Sequence, residues 1–270
     1  MSDNYYLRIG ESPVLIHAPH GATDIPKLAY DSLIISKAEI KAELLAMTDR
    51  HTGLLANDIA NEACLYGKSE KRAGLMINWV SRLAVDPERF PDEREEMNAV
   101  GMGAVYTHGS QRQRIRANNP VLSSRLVDEY FTPYAAAMEN AVEEILHRFD
   151  RAFIVDLHSY PSVPLPYELH ADGERPDICL GFDDFHMSSE IIEMVKDSLE
   201  TDGYSVGFNS PFAGTYVPLK FYATDARVSS LMFEIRRDIY MNEKTGNVKT
   251  RKYERLLQSL GKIIDILNDV

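Results

Sequence analysis

Short apolar runs alternate along the chain with longer stretches in which apolar residues recur every three or four positions. Val14 to Ala18 reads as a buried strand that stops at Pro19. From about Lys37 to Ala63 the period is helical, with a break near Thr48-Asp49, where either residue can cap a second helix. Leu75 to Val80 is a second strand, and Phe153 to Leu157 (FIVDL) is the clearest one. Before it, Ser123 or Ser124 is the expected N-cap of a long helix ending near Phe149, and Pro133 predicts a kink or break in that helix. Its buried stripe is Leu126, Tyr130, Tyr134, Met138, Val142, Ile145 and Phe149. Asp177 to Phe182, Tyr204 to Phe208 and Val228 to Ile235 follow as strands, Ser188 to Glu200 and Arg251 to Leu267 as helices. The alternation predicts an α/β layer fold, and with no repeat or linker in view the expectation is a single domain over residues 1–270. Residues 19–36, 84–122, 159–176 and 207–226 are too long for simple connections, so these loops are expected to carry function.

Composition narrows the classes. With 44% hydrophobic and 26% charged residues, the 270-residue chain is of ordinary globular type. Acidic residues outnumber basic ones by 41 to 29, a net charge of −12, which speaks against nucleic acid as a partner. A small anionic substrate stays admissible, because a few local arginines suffice for one. The two cysteines, Cys64 and Cys179, cannot build a Cys-rich zinc site or a disulfide framework, so a cytoplasmic setting is expected. Met1 to Tyr6 has neither the basic nor the apolar part of a signal peptide, and no apolar run is long enough for a bilayer.

Two histidines stand just past the carboxyl ends of strands: His20 in His17-Ala18-Pro19-His20-Gly21 and His158 in Asp156-Leu157-His158-Ser159. Ligands of open α/β sheets bind at such ends, and two imidazoles from separate strands suit zinc. A catalytic zinc needs a third ligand; Asp49 is the candidate, with His51 in reserve, although on sequence grounds alone Asp49 reads more readily as a helix cap. Glu234, at the end of the strand Ser230 to Phe233, is the candidate general base, or else a partner of Arg236 or Arg237. Asp156 and His17 are candidates to support a ligand imidazole from behind. Arg82 and Arg89 are candidate clamps for a substrate carboxylate; Arg82 can also pair with Asp86, and Arg112, Arg114 and Arg116 are the next candidates. Asn209 and Tyr216 flank a turn at Gly214 and can donate to substrate. Ser159 lacks the G-x-S-x-G surroundings of a hydrolase nucleophile.

Taken in order, six segments resemble the N-formylglutamate amidohydrolases: Pro19-His20-Gly21, Thr48-Asp49, Ser81-Arg82 through Asp86 to Arg89, Asp156 to Ser159, Asn209 to Phe212 with Gly214, and Phe233 to Asp238. The resemblance covers most of the chain. It implies a three-layer α/β/α sandwich with a central mixed sheet, zinc-carboxypeptidase-like, with one zinc per chain held by two His and one acidic residue. His20 and His158 match the His positions and Glu234 matches the base. The implied reaction is N-formyl-L-glutamate plus water to formate and L-glutamate, a step of histidine breakdown. Three positions depart from the pattern. Thr23 stands where His-x-x-Glu would place a glutamate, Gly214-Thr215 replaces a double glycine, and Asp86-Pro87-Glu88-Arg89 replaces Asp-Leu-Asn-Arg. A zinc hydrolase of another N-acyl amino acid or small peptide, and a non-catalytic protein binding an acidic metabolite, are the competing expectations. Nothing in the sequence sets the oligomeric state.

Overall fold

In a computed structural model, which describes residues 4–66, 71–169 and 171–270, seven strands form one sheet. They are β1 (Tyr5–Arg8), β2 (Val14–Ala18), β3 (Gly74–Asn78), β4 (Ala152–Tyr160), β5 (Ile178–Gly181), β6 (Val206–Phe208) and β7 (Val228–Arg236), in spatial order β1-β3-β2-β4-β7-β5-β6. The inner strands β3, β2, β4 and β7 are parallel, whereas β1 and β5 run antiparallel to their inner neighbours, so the sheet is mixed. All nine residues of β4 are buried, as a central strand covered on both faces requires.

The helices are α1 (Lys27–Tyr30), α2 (Lys37–Met47), α3 (Thr52–Tyr66), α4 (Pro120–Leu126), α5 (Thr132–Phe149), α6 (Ser189–Thr201) and α7 (Thr250–Asp269). Leu55 and Ile59 of α3, Leu199 of α6, and Leu256 and Ile263 of α7 cover one face of the sheet. Tyr134, Met138, Val142 and Ile145 of α5 cover the other, against Leu15, Met76 and Ile154. This is the α/β layering expected from the alternating pattern, in the three-layer form that the resemblance implies. Among the described residues no helix is long and apolar enough to cross a membrane.

Two local expectations change, and one strand is added. The helix before β4 begins at Pro120 with Asn119 as its N-cap, not at Ser123 or Ser124; Asn119 accepts from Leu122 N at 3.1 Å, and proline suits the first helical position. Pro133 does not break the helix: a π turn over Val127–Phe131 precedes it and carries α4 into α5. Tyr5–Arg8 is an edge strand, too short and too exposed to show a pattern.

Residues 81–116 are not a loose connection. Met47, Leu83, Met97, Met102, Tyr106 and Ile115 form a small core of their own. Arg116 is buried there and donates to Ser32 Oγ, Tyr106 O and Leu83 O at 2.8, 2.5 and 2.7 Å. That work is structural, whereas Arg112 and Arg114 are exposed, and none of the three lines the cavity described below.

Candidate active site

Because β2, β4 and β7 are parallel neighbours, their carboxyl ends lie side by side. Asp156 and His158 are two residues apart on β4 and so share one face. In register, His17 of β2 lies beside Asp156, and Glu234 of β7 lies beside His158. Past the end of β2 the chain is fixed by buried Asn78, whose amide donates to Pro19 O and Val80 O, both at 2.9 Å. Asp49 N donates to His20 O at 3.0 Å, and Thr52 Oγ1 donates to Asp49 O at 2.7 Å. A side chain at Gly21 would press on Thr52 Oγ1 and Gly53 N at 3.0 and 3.1 Å, so glycine permits the close approach of His20 to the start of α3.

These constraints bring His20, Asp49 and His158 together. His20 Nε2 faces Asp86 Oδ1 at 2.8 Å, and His158 Nε2 faces Asp156 Oδ1 at 3.0 Å. Carboxylates only accept, so each Nε2 carries a hydrogen, and Nδ1 is the nitrogen each ring can offer to a cation. The two Nδ1 atoms stand 3.2 Å apart, and Asp49 Oδ2 is 3.3 Å from His158 Nδ1 and 3.8 Å from that of His20. Two imidazole nitrogens and a carboxylate oxygen thus lie close together. Ligands ~2.0–2.1 Å from a tetrahedral zinc stand about 3.3 Å from one another, and the triangle fits that requirement. Glu88 offers a different set: its Oε2 lies 3.2 Å from His158 Nε2 and 3.6 Å from His20 Nε2. Those nitrogens are already engaged by Asp156 and Asp86, whereas the Nδ1 triangle with Asp49 could hold a cation with those contacts intact.

The electrostatics ask for positive charge at the same place. Burial alone would favour neutral His158, but Glu88, Asp156 and Asp49 outweigh it and hold the imidazole well above its ordinary range. Burial likewise works against ionised Asp49, yet the His158 hydrogen bond and Arg237 bring its carboxyl down to about 2. Arg237 donates to Asp49 Oδ1 at 2.9 Å and is held by Ala46 O and both oxygens of Ser159. Ser159 therefore supports a guanidinium, and Asp49 does not cap a helix. Glu234 is different: its Oε2 is buried with no hydrogen-bond partner, and burial pushes the carboxyl up to about 8. Arg236 turns away to Asp177 and Asp238, and Arg237 serves Asp49, so neither pairs with this glutamate.

A cavity of about 340 Å³ opens over this cluster, and His20, Asp49, Arg82, Arg89, His158 and Glu234 all line it. Arg82 is largely spent: it donates to Asp86 Oδ2 at 2.8 Å and to the Tyr106 hydroxyl at 3.0 Å. Arg89 is not, since its nearest carboxylates, on Asp86 and Glu95, are 3.5 and 3.6 Å away and its buried Nε has no hydrogen bond. Tyr216 lines the cavity, and its backbone N–H donates to Asp156 Oδ2 at 3.1 Å. Asn209 does not line it; its Oδ1 accepts from Phe182 N and Gly214 N at 3.0 and 3.1 Å, which organises the turn in which Gly214 has φ +78°. His51 is also elsewhere: its Nε2 contacts Gly246 O at 2.7 Å, so the reserve ligand is engaged outside the cluster. The residues that sequence reasoning passed over are Asp86 behind His20, Glu88 between the imidazoles and Arg237 behind Asp49.

The chain matches the N-formylglutamate amidohydrolase family profile over residues 12–241. Its fold is similar to that of the N-formylglutamate amidohydrolase from Ralstonia eutropha JMP134, with TM-score 0.80, 22% identity, and 98% and 97% of the two chains covered. It is also similar to gene product Atu2144 from Agrobacterium tumefaciens, with TM-score 0.66, 17% identity, and 96% and 95% covered. No curated protein matches it in sequence. The profile match spans most of the chain and takes in the whole cluster, so the chain belongs to the N-formylglutamate amidohydrolase family, hydrolases that act on an amide bond.

Proposed function

We propose that this chain is a zinc-dependent deformylase that converts N-formyl-L-glutamate and water to formate and L-glutamate, the reaction that places it in histidine breakdown. The observation that carries the metal is the convergence of His20 Nδ1, His158 Nδ1 and Asp49 Oδ2 within 3.8 Å of one another. Those three residues would hold the ion. When bound, zinc supplies Lewis-acid polarisation of the amide carbonyl and acidifies a water.

The chain's own residues do the rest. Glu234 takes a proton from the attacking water on its unpartnered Oε2 and delivers it to the departing amine nitrogen. Asp86 and Asp156 fix the tautomers of His20 and His158. His17, held between Asp156 Oδ1 at 2.9 Å and the Tyr134 hydroxyl at 2.7 Å, orients Asp156 in turn. Arg89 receives a substrate carboxylate on donors the protein leaves unused, which positions the formyl carbon for attack.

The direct test is the metal content of purified protein together with formate release from N-formyl-L-glutamate, with and without a chelator. About one zinc per chain and chelator-sensitive release support the reading; zinc with no formate overturns the substrate, and failure to bind any metal overturns the mechanism. Two further outcomes are expected. Arg89→Ala raises KM far more than it lowers kcat, by about 10- to 150-fold, the value of one charge-assisted contact; an unchanged KM would move the clamp to Arg82. Asp86→Asn weakens zinc binding by roughly 10–100-fold, measured by chelator competition, because the amide can donate to His20 Nε2 and turn its tautomer.

A further inference from the structure

The site does not end at Arg89. Glu88, Arg89 and the segment from Ala213 to Tyr216 also line a second cavity, of about 610 Å³. Its far walls are Phe90, Phe131, Val217, Pro218 and Tyr222, closed by Ala135 and Ala136 of α5. The rings of Phe90 and Tyr222 meet edge to face with centroids 6.1 Å apart, and Tyr222 stacks on His186 at 5.8 Å. Several charges around this cavity already have partners. Arg94 pairs with Asp92 at 2.6 Å, Lys220 lies 3.5 Å from Glu139, and Glu95 accepts from Phe90 N and Met97 N at 3.0 and 2.9 Å. Beyond Glu88, Arg89 and Glu96 at the wall shared with the first cavity, what the second cavity offers a ligand is mainly apolar and aromatic surface.

The first cavity alone reaches the lower end of the ~300–1,000 Å³ range of small-molecule sites. An N-formyl amino acid therefore has room without the second. In any N-acyl amino acid the α-carboxylate and the side chain leave the same carbon. With the carboxylate on Arg89, at the wall common to both cavities, the side chain is the group that passes into the second one. We infer that the second cavity is a side-chain subsite and that the enzyme also hydrolyses N-formyl amino acids bearing an aromatic side chain, releasing formate and the free amino acid. This rests on the deformylase reading above.

The test compares zinc-loaded protein on N-formyl-L-phenylalanine, N-formyl-L-glutamate and N-phenylacetyl-L-glutamate, whose ring is on the acyl side. Ala136 is an exposed residue of α5 on the wall of the second cavity only, so Ala136→Trp fills that space without touching the core. The expected result is formate release from the phenylalanine substrate, reduced by about tenfold or more in Ala136→Trp, with the glutamate substrate unaffected. Calorimetry on zinc-loaded Glu234→Gln gives binding without turnover, and there the aromatic ligand should lose affinity on addition of Ala136→Trp. Turnover of N-formyl-L-glutamate with neither turnover nor binding of N-formyl-L-phenylalanine overturns the subsite and leaves the deformylase reading standing. Sensitivity of the phenylacetyl substrate alone to Ala136→Trp also overturns it, because the cavity would then face the acyl group. If neither formyl substrate releases formate, the deformylase reading fails, and the calorimetric effect of Ala136→Trp still decides whether the cavity receives the ring.

Discussion

Glu234→Gln is expected to lower kcat by about 10²- to 10⁴-fold, the usual contribution of a positioned acid–base group, while the protein keeps its full metal content. The amide fills the same volume and cannot take a proton. Oε2 has no hydrogen bond to lose, so the fold has little reason to respond. The same carboxyl sets a pH signature. Burial raises it, to about 8, and Asp49 adds to the rise, while His158, Arg82 and Arg237 oppose it. A cation at the neighbouring histidines draws it down again. The acid limb of the kcat/KM profile is therefore expected between the ordinary carboxylate range and 8, with activity falling as pH falls and the base takes up its proton. That limb should vanish in Glu234→Gln. Near-normal turnover in the variant, with zinc in place, would sink the assignment.

What sequence could and could not reveal follows from the physics of each element. β4 was legible because a strand buried on both faces is an unbroken apolar run, and His158 was legible because it breaks that run near the carboxyl end. His20 and Glu234 showed themselves in the same way, as polar groups at the ends of apolar segments, and parallel pairing then sets the ends side by side. The supporting shell left no such trace. Asp86 reaches His20 across 66 residues, and Arg237 reaches Asp49 across 188. Such pairs depend on how loops fold back, for which hydrophobic period carries no information. Arg116 misled for a related reason: in sequence it belongs to a basic cluster, yet the small core around Tyr106 and Ile115 takes it in as a bridge between carbonyls. Asn209 misled because a side chain that can reach a ligand can equally close a turn, and the amides of Phe182 and Gly214 are nearer.

Asp49→Ala is expected to weaken metal binding by more than the roughly 10–100-fold typical of losing an outer carboxylate, and to abolish metal-dependent turnover with it. Glu88→Gln is expected to stay within that smaller range. The contrast separates the two carboxylates that flank the imidazoles. Asp49 faces the Nδ1 side, away from Asp86 and Asp156, and Glu88 faces the Nε2 side, where Asp86 and Asp156 already accept. Asp49→Ala also strands Arg237, a buried cation whose carboxylate partner is gone, at a cost of about 3–5 kcal/mol. The apo protein should therefore melt earlier, and a fall in metal content alone would be ambiguous. Asp49→Asn resolves the ambiguity. Its amide oxygen can still accept from Arg237, so the apo protein should regain most of the lost stability, yet a neutral amide is a poorer zinc ligand and affinity should remain low. If Asp49→Asn bound zinc like the parent protein while Glu88→Gln lost it, the ligand set would be His20, Glu88 and His158. The imidazoles would then bind through Nε2, with Asp86 and Asp156 displaced from the positions they hold here.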